Sequence, residues 1–123
     1  MRALLGLLLV LMIVFGSVQY NDPDGLMWMA IYAVPALWCA LGLLGPHLFN
    51  YKAVRGLFWA SVLMSVVGVV YFWPLTPQFW TKDVWYNVET AREGMGLMIV
   101  FVVLMVVLFS VRKYTTQKNR TAR

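Results

Sequence analysis

The run LMWMAIYAVPALWCALGLL, Leu26 to Leu44, holds nineteen residues and no charge. As an α-helix it rises about 29 Å, which matches a hydrocarbon layer about 30 Å thick. It has no apolar/polar alternation, so it does not suit a barrel strand, and in lipid its backbone groups must bond within the segment. The stretch reads as a membrane-spanning helix. Three further uncharged runs, Ala3 to Val18, Leu57 to Trp73 and Met95 to Val111, read the same way. The expected class is all-α: a four-helix transmembrane bundle in one domain over residues 1–114. A polar, basic tail over residues 115–123 is expected to be disordered.

Composition agrees. Of 123 residues, 62% are hydrophobic and 12% charged, with a mean hydropathy of +0.74. Soluble domains carry about twice that charge and disordered chains far less apolar surface, so both are excluded. Little chain remains for a catalytic domain. Charge placement orients the bundle. With the N-terminus inside, Arg2, Lys52, Arg55, Arg112, Lys113, Lys118, Arg120 and Arg123 fall on the inner side with no acidic residue. Asp22, Asp24, Asp83, Glu89 and Glu93 fall outside, with Lys82 and Arg92 as the outer bases. Because Lys and Arg are retained on the cytoplasmic side, the expected topology is N-in/C-in, both termini cytoplasmic, as in a bacterial inner (plasma) membrane protein. The net charge of +5 sits at membrane ends, where anionic lipid explains it; no nucleic acid is expected.

Arg2 and an apolar run ending in Gly16, Ser17 and Val18 have the outline of a secretory signal. The core is long for one, the cleavage pattern is poor, and removal would leave the loop charges on inconsistent sides, so a retained first helix is expected. Ser61, Ser65 and Gly68, at i, i+4 and i+7, form a small-residue stripe suited to close helix approach. Pro35 is expected to kink the second span. Cys39 is alone, which excludes a disulfide framework or a CxxC motif. His47 lies in the inner loop, a membrane thickness from every carboxylate. The eight methionines show no metal-binding spacing. The connection from Pro74 to Val88, with Pro77, Phe79, Trp80, Trp85 and Tyr86, suits the headgroup region as a lid or a short interfacial helix.

The candidate chemistry lies at two helix ends. Asp22-Pro23-Asp24-Gly25 suits a type I turn, with Asp24 placed to cap the second span. Trp28 and Tyr32 follow Asp24 at four-residue intervals and share its helix face. If the fourth helix begins about a turn before its apolar core, Glu89, Arg92, Glu93 and Gly96 form one stripe in which two like charges repel at i, i+4. Charges at helix ends are ordinary, and these two clusters could be separate decoration. If they meet, they build one pocket lined by Asn21, Asp22, Asp24, Trp28, Tyr32, Glu89, Arg92 and Glu93, with Trp85 as a further wall. Asp22, Asp24, Glu89 and Glu93 would then offer oxygen ligands to a divalent cation, and Arg92 a donor fork for carboxylate or phosphate.

The NDPD turn over Asn21–Asp24, then Trp28, Tyr32 and Pro35, together with Glu89, Arg92, Glu93 and Gly96, resembles the transmembrane protein 220 family, small membrane proteins of bacteria and animals. The resemblance covers the first forty residues and the start of the fourth helix. It implies that the turn and the E/R/E stripe belong to one signature, and it names no ligand. Three readings follow. The first is a binding module whose outward pocket takes a cation or a lipid or small-molecule headgroup. The second is an accessory or assembly subunit, packed in a larger membrane complex or a homo-oligomer. The third is a membrane enzyme using Glu89 and Glu93 as acid and base, which ranks lower because no Ser/His, Cys/His or His-rich arrangement accompanies them. No cofactor beyond a divalent cation is suggested. A four-helix proton-coupled exporter would need an acid within a span, and none of the four has one.

Overall fold

The computed structural model describes residues 1–73, 78 and 80–123, excluding the side chains of Trp85, Tyr86 and Thr90. Among the described residues five α-helices follow one another: α1 (Arg2–Ser17), α2 (Gly25–Leu44), α3 (Lys52–Tyr71), α4 (Lys82–Asn87) and α5 (Glu89–Thr121), with a 3₁₀ turn over Pro46–Asn50 between α2 and α3. No strand occurs among the described residues. The all-α bundle expected from the apolar runs is the fold. Among the described residues three helices, α2, α3 and the stretch of α5 from Ala91, are long and apolar enough to cross a membrane. The fourth, α1, is apolar over 16 residues, about 24 Å, and so falls roughly a turn short of the hydrocarbon thickness. The expected lid over Pro74, Pro77 and Phe79 and the wall at Trp85 lie outside the described residues; α4 supplies a short helix in that connection.

The bundle is organised around α5. α1 packs along α2, and both α2 and α3 pack on α5. Leu97, Val100, Val103, Leu104, Val107 and Val111 are buried, so α5 is 44% buried over its most apolar window against 17% for α3. α3 therefore presents most of its surface outward, as a lipid-facing helix does. At the end carrying the 3₁₀ turn, hereafter the tail end, Trp38, Phe49 and Phe58 meet with ring centroids 5.2 to 5.7 Å apart. Trp38 Nε1 also donates to Ser61 Oγ at 3.0 Å, which ties α2 to α3. The small-residue stripe is thus used within the chain: Ser61 receives Trp38, and Leu97 of α5 packs over Gly68. α2 continues through Pro35, which is buried.

Residues 115–123 differ from expectation: α5 continues as helix to Thr121. The hydroxyls of Thr115 and Thr116 donate to the carbonyls of Val111 and Arg112, and Lys118 and Arg120 stand in the last turn, where cations complement the helix dipole. Every residue from Arg112 onward is exposed, so local terms alone hold this extension.

At the opposite end, hereafter the mouth end, two glycines set the geometry. A side chain at Gly25 would overlap the Gln19 carbonyl, around which the turn into α2 closes. A methyl group at Gly96 would overlap the Tyr32 hydroxyl. Tyr32 is buried between Phe15, edge-on at 5.8 Å, and Trp28 at 6.3 Å, so its ring has little room to withdraw. Gly96 is therefore what lets α5 close on α2. Gly96→Ala is expected to destabilise the protein by about 1–3 kcal/mol, the usual range for overpacking. Adding Tyr32→Phe, which removes the overlapped oxygen, should recover part of that loss. Thermal unfolding of the single and double variants in detergent checks this; strictly additive losses would refute the contact.

Candidate functional site

The chain around Asp22 folds as its sequence directs. Gly25 N–H donates to the Asp22 carbonyl at 3.0 Å, the i to i+3 bond of a turn with Pro23 at its second position. Asp24 occupies the N-cap position of α2, but its carboxylate makes no capping bond to the helix backbone. Its φ of −103° and ψ of 19° lie outside the extended region an N-cap residue usually adopts. The carboxylate instead accepts a hydrogen bond at 3.0 Å from Trp28 Nε1, one helical turn on. The expected cap is thus replaced by an aromatic clamp that fixes the Asp24 side chain in the mouth.

α5 begins at Glu89, a turn and a half before its apolar stretch, which puts Glu89, Arg92, Glu93 and Gly96 on one stripe. With Gly96 seated on Tyr32, the acids of this stripe are carried against the turn. One carboxylate oxygen each from Asp24, Glu89 and Glu93 lie within 4.8 Å of one another. They open on a cavity of about 340 Å³ lined by Val18, Gln19, Asp22, Asp24, Trp28, Tyr32, Glu89, Arg92 and Glu93. The two clusters, seventy residues apart in sequence by the Asp22 to Arg92 separation, form one mouth.

Two expected site residues stand differently. Asp22 lines the cavity but is not one of the three mutually close carboxylates, and Asn21 is exposed on the turn and is not among the lining residues. Gln19 lines the mouth without having been a candidate; it sits one residue past α1's C-cap, and its side-chain amide donates to the Phe15 carbonyl at 3.3 Å. Its place directly after the first apolar run was the available signal. Exposed His47 is on the 3₁₀ turn at the tail end, and buried Cys39 is in the core of α2.

Electrostatically the mouth is acidic, with four carboxylates and the Arg92 guanidinium among its described lining residues. Glu93 stands two residues before the apolar stretch that starts at Met95. Glu89 and Asp24 stand beside it, and Arg92 is the base among the lining residues. Among the described residues, those lining the mouth include no Ser, Cys or His. Three acceptor carboxylates facing one another can hold protons or a cation.

The profile of the family described as "Transmembrane family 220, helix" matches residues 11–109. That range contains the NDPD turn, Trp28, Tyr32 and the whole E/R/E stripe, and it also takes in α3, which the motif resemblance leaves out. Transmembrane protein 220 of Xenopus laevis is 29% identical over 83 residues, 68% of this chain and 45% of that protein. The chain spans about half the length of this curated relative. No solved structure matches it. With its apolar helices and a match across most of its length, the chain is an integral membrane protein that belongs to transmembrane family 220.

Proposed function

We propose that this protein is a cation-binding membrane module whose ligands are Asp24, Glu89 and Glu93, with Asp22 and Arg92 shaping the rim. The observation that carries the reading is the convergence of three carboxylate oxygens, from two distant segments, within 4.8 Å. Like charges at that separation repel strongly where water is partly excluded, and a bound cation offsets the repulsion. Carboxylate oxygens are hard ligands, which favours Ca²⁺ or Mg²⁺ over a thiophilic or imidazole-seeking metal. Ca²⁺, with bonds of about 2.3–2.6 Å, reaches oxygens up to about 5 Å apart, whereas Mg²⁺, at about 2.1 Å, reaches only about 4.2 Å. Ca²⁺ therefore needs less contraction of the three oxygens than Mg²⁺ does. The charge asymmetry of the loops supports placing the mouth outside with both termini cytoplasmic, and a bacterial inner membrane setting belongs to the same proposal.

Isothermal titration of the purified protein with Ca²⁺ is expected to give a Kd of about 0.1–1 mM, the range of weak carboxylate sites. Glu93→Gln, which keeps the shape and removes one charge, should weaken binding about tenfold or more. Identical heats for wild type and variant, or none in either, would contradict the proposal.

A further inference from the structure

α2 and α3 are tied at two levels and part between them. Near the tail end, Trp38 Nε1 donates to Ser61 Oγ, and near the mouth the Trp28 ring meets Phe72 edge-on at 5.6 Å. Along either helix the ties are about 15 Å apart. The gap is a cleft of about 710 Å³, floored by Leu97 and Val100 of α5 and walled by residues such as Ile31, Val34, Met64 and Val67. Its two serine hydroxyls are already committed: Ser61 and Ser65 donate to the carbonyls of Leu57 and Val62. Apart from the Tyr71 hydroxyl near the mouth end, the cleft thus offers hydrocarbon contact. A partner helix, about 10–12 Å across with its side chains, cannot enter its length while both ties hold α2 and α3 together. A single flexible chain can.

The mouth-end tie also stands between the cleft and the acidic mouth. Trp28 lines the mouth and hydrogen-bonds Asp24, while its ring partner Phe72 lines the cleft, so one ring pair separates hydrocarbon from carboxylates. We propose that the α2–α3 cleft seats an acyl chain of a zwitterionic phospholipid with a primary-amine headgroup, the amine reaching the carboxylates of the mouth. Charge complementarity selects the headgroup. An ammonium group donates N–H bonds to Asp24, Glu89 and Glu93; a choline headgroup has no N–H, and a glycerol headgroup leaves the lipid anionic. The headgroup half of this inference rests on the acidic-mouth reading, and the acyl half on the cleft alone. Amine and Ca²⁺ then compete for the same oxygens.

The full chain is reconstituted in phosphatidylcholine vesicles carrying a trace of phospholipid with a photoreactive diazirine on one acyl chain and an ethanolamine, choline or glycerol headgroup. Adducts are mapped by peptide mass spectrometry. Adducts are expected to concentrate on residues 27–34 of α2 and 57–72 of α3, about fivefold to tenfold more with ethanolamine than with choline, and to fall when Ca²⁺ is added. Ala60→Trp and, from the opposite wall, Ala30→Phe should each remove the cleft adducts while preserving monodisperse elution. Glu93→Gln should bring ethanolamine labelling down to the choline level with its location unchanged. Adducts spread as densely over the outward face of α1, or cleft labelling equal for all three headgroups, overturn the proposal. Headgroup-selective labelling without any Ca²⁺ heat would sink the ion reading and leave this one standing. Ca²⁺ binding without cleft labelling would do the reverse.

Discussion

The contact of Gly96 with Tyr32 is the constraint on which the mouth depends. It allows α5 to close on α2 at a level just inside the rim, and everything above it is carried along. Glu89 and Glu93 lie seven and three residues before Gly96, and Asp24 and Trp28 eight and four before Tyr32, close to two turns and one turn in each helix. Each helix presents these residues on the face that makes the contact. Once the two faces touch, the carboxylates meet without further instruction. In lipid, close packing and ring contacts hold helices together more than burial from water does, so a glycine at the crossing and an aromatic ring held by its neighbours are the appropriate devices.

Packing at the crossing works against electrostatics at the rim. The acids of the mouth repel, and the fold tolerates this because the contact below them is fixed by Phe15, Trp28 and Tyr32 rather than by charge. The Trp28 indole gives Asp24 one N–H and so removes part of the cost of holding a carboxylate beside two others. What remains is a preformed demand for positive charge. In the proposed reading an ion or an ammonium group meets it, and the neighbouring cleft would give the second kind of ligand an apolar seat.

Much of this was legible in the residues. Uncharged runs of 16 to 19 residues fix helices of membrane length, and the spacing of Asp24, Trp28 and Tyr32 and of Glu89, Arg92, Glu93 and Gly96 fixes two helix faces. Asp22-Pro23-Asp24-Gly25 fixes the turn between the first two helices. The meeting of the two faces was not legible, because nothing local in Gly96 states that it must face Tyr32. The Asp24 side chain was misassigned to the helix backbone because a capping carboxylate and one claimed by an indole four residues on share the same sequence. The course of the tail was not legible for a different reason: polar, basic composition suggests disorder, but a helix already nucleated by an apolar span extends at little cost per residue, and α5 runs to Thr121. The α2–α3 cleft had no sequence signature, since a small-residue stripe reads alike whether the neighbouring helix fills it or leaves a gap beside it.

The most direct measurement is a bridging experiment across the rim. Cysteines at Asp24 and Glu93, introduced in a Cys39→Ala background, are treated with a short bis-thiosulfonate reagent in intact membranes, and the intramolecular bridge is read by mass. A control pair at Asp24 and Arg120 places the second thiol about 40 Å further along α5. An efficient bridge in the first pair and none in the control is the expected result. Equal, negligible bridging in both would show that the turn and the E/R/E stripe do not meet, and the mouth would not exist.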